Sequence, residues 1–273
     1  MKSRGIIRHD LVYGLAAEWK KLILLVVLAL FCCIGLTVQI NLRALSQRPT
    51  FLDCALYLFG GMEPYIPSAD VPFKIPVTWL ILHSYLAYWV GSYPVDDLQH
   101  YGKNVLLRCE KRATWWRSKL IWCAASVLVF YAVCYLVMAL FCLFIGTLSF
   151  APTYEIQETV SHLYLQRLEN KEIWFIVLIL PILTSLALSL VQMVFYLWVA
   201  PIFSYIAVIS YLVISAYCAT PFLIGNYSMI FRHERLMDGG ASSVVCVVVD
   251  IGIIVAAIGI GHRKFKRYDI LSK

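Results

Sequence analysis

Long apolar runs separated by short polar breaks set the pattern of this chain. Six stretches, approximately 22–40, 76–93, 120–149, 173–199, 202–223 and 243–261, carry few charges. Each approaches the roughly 20 apolar residues needed to cross about 30 Å of hydrocarbon. The pattern predicts an all-α polytopic membrane protein with six transmembrane helices in a single domain, 1–273. The third stretch would be about 45 Å long as a helix, so it must tilt or project. The fourth and fifth are joined almost directly at Val199-Ala200-Pro201, and Pro181 should kink the fourth.

The segments between the spans have patterns of their own. In residues 1–20, Ile6, Ile7, Leu11, Leu15 and Trp19 recur every three or four positions against Lys2, Arg4, Arg8, His9, Asp10 and Glu18. That periodicity predicts a helix lying in the membrane interface. Phe51–Gly61 is apolar but too short to cross, so it reads as a helix on or dipping into the outer interface. Pro64, Pro67, Pro72 and Pro76 then keep the chain extended. After the fifth span, residues 221–240 break the helix near the outer surface, from Thr220-Pro221 to Gly239-Gly240.

Composition sharpens the membrane reading. Hydrophobic residues make up 61% of the chain and charged residues 14%, against about a quarter for soluble domains. The net charge of +7 is a matter of topology. Of the 23 Lys and Arg residues, 16 lie in 1–21, 94–119 and 262–273, and 7 lie in the intervening segments on the other side. The asymmetry puts both termini in the cytoplasm and calls for no nucleic acid. The apolar run after Lys20-Lys21 is too long for a cleavable signal peptide and reads as a retained span. Of the nine cysteines, only Cys54 falls on the predicted outer side, without an obvious partner, and there is no CxxC.

The most informative segment is the charged island 94–119. Pro94 and Asp96-Asp97 suit a helix start, and Gly102 allows a sharp turn. Val105-Leu106-Leu107 forms an apolar knob rimmed by Arg108, Lys111 and Arg112, and Trp115-Trp116 stand where the chain re-enters lipid, shortly before Lys119. On physical grounds alone this is either a docking element or an amphipathic interfacial loop with snorkelling Arg and Lys. Its acid–Leu–Gln, Gly, Leu-Leu-Arg, Arg, Trp-Trp and Ser-Lys order resembles the loop after the second span of type-2 ATP-binding-cassette (ABC) permeases. The resemblance implies that Asp97, Gly102, Leu106, Arg108, Arg112, Trp115, Trp116 and Lys119 belong to a coupling segment that meets an ATPase. It implies further a separate ABC ATPase holding ATP and Mg, a second permease copy or a sister chain, and a gate at 221–240. The setting would be the bacterial cytoplasmic membrane, and the cargo a hydrophobic or amphipathic substrate, a peptide or a lipid, moved outward.

No residue stands out as catalytic, cofactor-binding or metal-ligating. There is no GxxxxGK[ST], GxSxG or HExxH; Glu158 and His162 share a helical face but lack the second histidine. Two ionisable residues fall inside spans, His83 and Asp250, each about 10 Å from the outer end of its helix. They are candidates for a pathway lining, or for side chains satisfied in packed interfaces. Alternative functions are an ATP-independent channel or secondary transporter relaying through these two residues, and an intramembrane enzyme.

Overall fold

The computed structural model describes residues 3–67, 72–99 and 112–267. They are helical for the most part, with no strand among them. α1 (Ser3–His9) runs into a π-helical turn, Asp10–Gly14. Then come α2 (Trp19–Leu42), α3 (Phe51–Phe59), α4 (Val77–Gln99), α5 (Arg112–Phe144), α6 (Asn170–Phe195), α7 (Pro201–Tyr217) and α8 (Ser243–Lys266). Four of these, α2, α5, α6 and α8, are long and apolar enough to cross a membrane. α7 is apolar but shorter. α4 has 23 residues, with polar or amphipathic side chains at Trp79, His83, Ser84, Tyr85, Tyr88, Trp89 and Tyr93 diluting its hydropathy. The chain has the character of a membrane protein.

Burial separates the helices by position. In the most apolar window of α6, 67% of residues are buried, against 22% in α8, which makes α6 the centre of the bundle. α8 packs along α6 but leaves Val244, Val248, Ile251 and Val255 exposed. α2 does the same with Ile23, Val27, Phe31, Ile34 and Val38. Both sets recur every three or four residues, as an outward apolar stripe on a helix does when it faces hydrocarbon.

Local chemistry sets the boundaries. α5 stops at Phe144, short of the expected 149, because Gly146 takes φ +75 and the Thr147 N–H closes back on the Cys142 carbonyl at 2.9 Å. Pro201 opens α7 at its first turn, after Ala200. Before Pro181, α6 widens into a π turn over Phe175–Ile179. Tyr135 donates to the Leu178 carbonyl at 2.6 Å and Tyr131 to the Pro181 carbonyl at 3.0 Å, so carbonyls around the distortion are satisfied from α5.

Two expectations about the polar segments need correction. α3 does not lie on an interface: every residue in it except Tyr57 is buried, and it packs against α2, α4 and α5. Its start is a capping box between Thr50 and Asp53. Asp53 is fully buried and also accepts hydrogen bonds from the Thr153 N–H at 2.9 Å and Gln157 Nε2 at 2.8 Å, which anchors the segment at 150–172 to α3. Cys54 has a neighbour after all, with its Sγ 4.0 Å from that of Cys142. The N-terminal helix packs Ile6, Asp10 and Gly14 onto α5 while Val12, Tyr13 and Trp19 stay exposed, and the correction concerns Asp10 alone: read as polar-face, it points inward.

Candidate functional site

The N-terminal turn, the end of α4 and the start of α5 meet around one lysine. Lys119 has no exposed side-chain surface. Its Nζ lies 2.8 Å from Asp10 Oδ1 and 2.8 Å from Asp97 Oδ2. Tyr93 donates to Asp10 Oδ1 at 2.9 Å, Ser118 to Asp10 Oδ2 at 2.6 Å, and Trp115 Nε1 to Asp97 Oδ2 at 3.0 Å. The ammonium also sits 4.5 Å from the Tyr93 ring centroid and 5.1 Å from that of Trp115. Burying a lone ammonium would cost several kcal/mol; here two carboxylates and two ring faces replace its water.

The sequence places these groups together by simple means. Pro94 stands inside α4, so Asp97 falls in the last turn of that helix and not at a helix start. A carboxylate there is disfavoured by the helix dipole, and Lys119 and Trp115 offset this. Gly14 is required because Tyr93 lies against it: a Cβ at this position would come within 2.6 Å of Tyr93 Cζ. Tyr93 in turn stacks on Trp122 at 4.4 Å. From the far end of the chain, Phe265 of α8 stacks on Trp115 at 4.7 Å and on Trp116 at 5.5 Å, and Arg112 Nη1 reaches the Lys266 carbonyl at 3.5 Å.

The predicted coupling residues therefore divide. Asp97, Trp115 and Lys119 share one buried cluster, with Trp116 beside it and Arg112 exposed at its edge. Trp115 and Trp116 are buried in protein and not at a lipid boundary, and Lys119 does not snorkel. Gly102, Leu106 and Arg108 lie outside the described residues. Sequence reasoning missed Asp10, Tyr93 and Ser118. A charge on an otherwise amphipathic helix was the available signal for Asp10; Ser118 stood in the Ser-Lys pair of the loop but was given no role, and nothing in the pattern singled out Tyr93. The cluster has no exposed nucleophile or base. It ties the N-terminal turn, the end of α4, the start of α5 and the end of α8 together.

A family profile described as "Protein of unknown function (DUF2705)" matches residues 54–271. The chain belongs to this family. The matched span includes Asp97, Lys119 and Phe265 and leaves out Asp10. A search of the curated proteins and another of the solved structures found no match.

Two further candidates in this DUF2705 chain are buried and separate. His83 Nδ1 lies 2.8 Å from the Trp79 carbonyl of its own helix, and the ring borders a small cavity with Ser185, Ser189 and Gln192 of α6. Asp250 has no exposed surface and accepts a hydrogen bond from Thr184 Oγ1 at 2.8 Å. Among the described residues no hydrogen bond or ion pair joins the two; each turns to α6. No group of three or more His, Cys, Asp or Glu among the described residues could hold a metal ion.

The break at 221–240 folds back into the bundle. Ile224–Ser228 is a buried 3-10 turn packed against α6, α7 and α8. Trp79 Nε1 donates to Ser228 Oγ at 3.0 Å, and Asn226 Nδ2 donates to the carbonyls of Cys218 and Thr220, both at 2.8 Å. Arg232 is buried and, among the described residues, gives one hydrogen bond, Nη2 to the Ala216 carbonyl at 2.9 Å, while Nε and Nη1 have no partner there. Burial pulls its guanidinium down to about 10.

Proposed function

We propose that this chain is the permease subunit of an ATP-driven ABC exporter in the bacterial cytoplasmic membrane. It has six spans, with α4 and α7 completing the four strongly apolar helices, and both termini are cytoplasmic. It pairs with a second copy or a sister permease. The segment at 100–111 docks on a separate ATPase, which supplies ATP and Mg. The cargo is a hydrophobic or amphipathic molecule, a peptide or a lipid, carried outward.

The observation that supports this reading best is the Lys119 joint. A loop that transmits force between an ATPase and a bundle needs both of its ends fixed to rigid helices, and needs those helices fixed to one another. Asp97 at one end of the segment and Trp115 and Lys119 at the other share a single ion-pair cluster. A merely interfacial loop has no use for so costly a burial of charge. The likeness of 94–119 to the loop of type-2 permeases and the 16-to-7 division of basic residues point the same way. A relay through His83 and Asp250 has less support, because each is bonded elsewhere.

The test is co-purification. A tagged chain, extracted gently from its native membrane, should carry a P-loop ATPase. The Leu106→Asp/Arg108→Asp variant should lose it while keeping its thermal stability. Recovery of the wild-type chain without any ATPase would end the proposal.

A further inference from the structure

Two sulfurs meet at the end of the bundle opposite Lys119. Cys142 lies about 35 Å along α5 from that lysine, shortly before the helix ends at Phe144. Its Sγ is 4.0 Å from the Sγ of Cys54 on α3, a residue 88 positions earlier in the chain. Neither thiol has exposed surface. Filling a core asks only for a small apolar side chain; here the backbone around the pair is also held in register.

Pro49, just ahead of α3, offers its carbonyl to Thr147 Oγ1 at 2.7 Å and to Cys142 Sγ at 3.9 Å. The Phe51 N–H donates to the Ser149 carbonyl at 3.2 Å, and Thr50 Oγ1 to the Ala151 carbonyl at 2.9 Å. Asp53, the neighbour of Cys54, holds Thr153 and Gln157. The start of α3 is stitched in this way to the chain leaving α5. From 4.0 Å the two sulfurs need to close by about 2 Å to reach bonding distance, and rotation about χ1 at the two residues supplies that movement. A third thiol, Cys33 of α2, also hydrogen-bonds Cys54. It stands well inside α2, about 14 Å from the helix end at Leu42, where a reagent arriving from the surface reaches it last.

We propose that Cys54 and Cys142 are joined by a disulfide that locks α3 to α5 at the outer end of the bundle. The oxidant is a dithiol–disulfide oxidoreductase of the outer compartment, in its disulfide form. While α3 is docking and the sulfurs are still uncovered, the Cys142 thiolate attacks one sulfur of that disulfide, and the other sulfur leaves as a thiolate. The Cys54 thiolate then attacks Cys142 Sγ and expels the sulfur bound there. The chain loses two electrons and two protons, and the oxidoreductase gains both as a dithiol. With Asp53 already holding the segment at 150–172, the bridge makes α3, the end of α5 and that segment one unit. The proposal rests on the permease reading for one thing, the outward position of this end.

The experiment uses the full chain in its native membrane. Cells are quenched in acid, denatured, alkylated with N-ethylmaleimide and digested without reductant, and the peptides are read by mass spectrometry. A peptide pair linked through Cys54 and Cys142 is expected as the major form, with Cys33 alkylated. The Cys33→Ser variant should keep the link. The Cys54→Ser/Cys142→Ser variant, purified without reductant, should melt at least about 5 °C below the wild type. Alkylation of Cys54 and Cys142 in the quenched cells, or a link between Cys33 and Cys54 in its place, would overturn the proposal, as would a double variant that melts with the wild type. Alkylated thiols in a chain that still co-purifies with an ATPase would remove the bridge and leave the permease reading standing. A bridge in a chain that carries no ATPase would do the reverse.

Discussion

Two buried cations, Lys119 and Arg232, show how differently this fold treats its two ends. Lys119 is enclosed with two carboxylates, two aromatic faces and the neighbouring donors that complete Asp10. Arg232 is 3% exposed, yet among the described residues it has no carboxylate and satisfies one donor on the carbonyl of Ala216, near the end of α7. The partial negative charge of a helix C-terminus helps it, but by far less than an ion pair would. The first arrangement makes a joint that must move as a unit. The second holds its segment in place with little electrostatic commitment, as the proposed permease reading asks of a gate.

Breaking the joint should have the largest effect. Lys119→Met leaves Asp10 and Asp97 facing each other without a cation, and should cost about 3–5 kcal/mol, seen as a large drop in melting temperature in detergent. Adding Asp97→Asn to that variant should recover part of the loss, since one unpaired carboxylate is then removed. A double variant as unstable as the sum of its parts would show that the two residues act independently.

Gly14→Ala comes next. The new methyl group must push Tyr93 off Asp10, at a cost of about 1–3 kcal/mol. Arg232→Met should be mild, less than about 1.5 kcal/mol in either direction, because a buried cation without a counter-ion returns little when kept. A loss as large as that of Lys119→Met would reveal an anionic partner for Arg232 and erase the contrast between the two ends.

The smallest expected effect is a pH dependence at the end of the bundle that holds Arg232. His233 accepts the Arg235 N–H on Nδ1 at 3.4 Å and so presents Nε2–H to Ser243 Oγ at 2.9 Å, the neutral tautomer. Burial pushes its pKa down, with Glu234 and Glu172 opposing. The unfolded chain then binds the proton more readily than the folded one, so this contribution is complete above about pH 6.5 and fades as pH falls below it. His233→Gln should flatten that part of the stability profile and leave stability at pH 8 nearly unchanged.

The same contrast explains what could be read from the chain alone. Apolar length fixed the helices well: the expected 22–40, 173–199 and 243–261 became Trp19–Leu42, Asn170–Phe195 and Ser243–Lys266. Periodicity also found the N-terminal helix but assigned Asp10 to the wrong face, because a carboxylate counts as exposed until its partner is known, and that partner is 109 positions away. α3 was misplaced for a related reason. Its apolar residues suit lipid and protein equally, and only the acceptance of Thr153 and Gln157 by Asp53 decides between them. Asp97, Trp115 and Lys119 were legible as a group from their likeness to a permease loop; Ser118 lay in the same Ser-Lys pair without a role assigned to it, and Tyr93 carries no pattern that distinguishes it from other span residues.

The central claim is that the Lys119 joint presents the segment at 100–111 to an ATPase on the cytoplasmic side. A single cysteine at Leu106→Cys, in a variant with the nine native cysteines replaced, tests it directly. In intact cells this thiol should resist an impermeant maleimide, and in permeabilised cells a benzophenone maleimide placed there should photo-crosslink to a P-loop ATPase identified by mass spectrometry. Labelling from outside intact cells, or a crosslinked product containing no ATPase, would contradict the account.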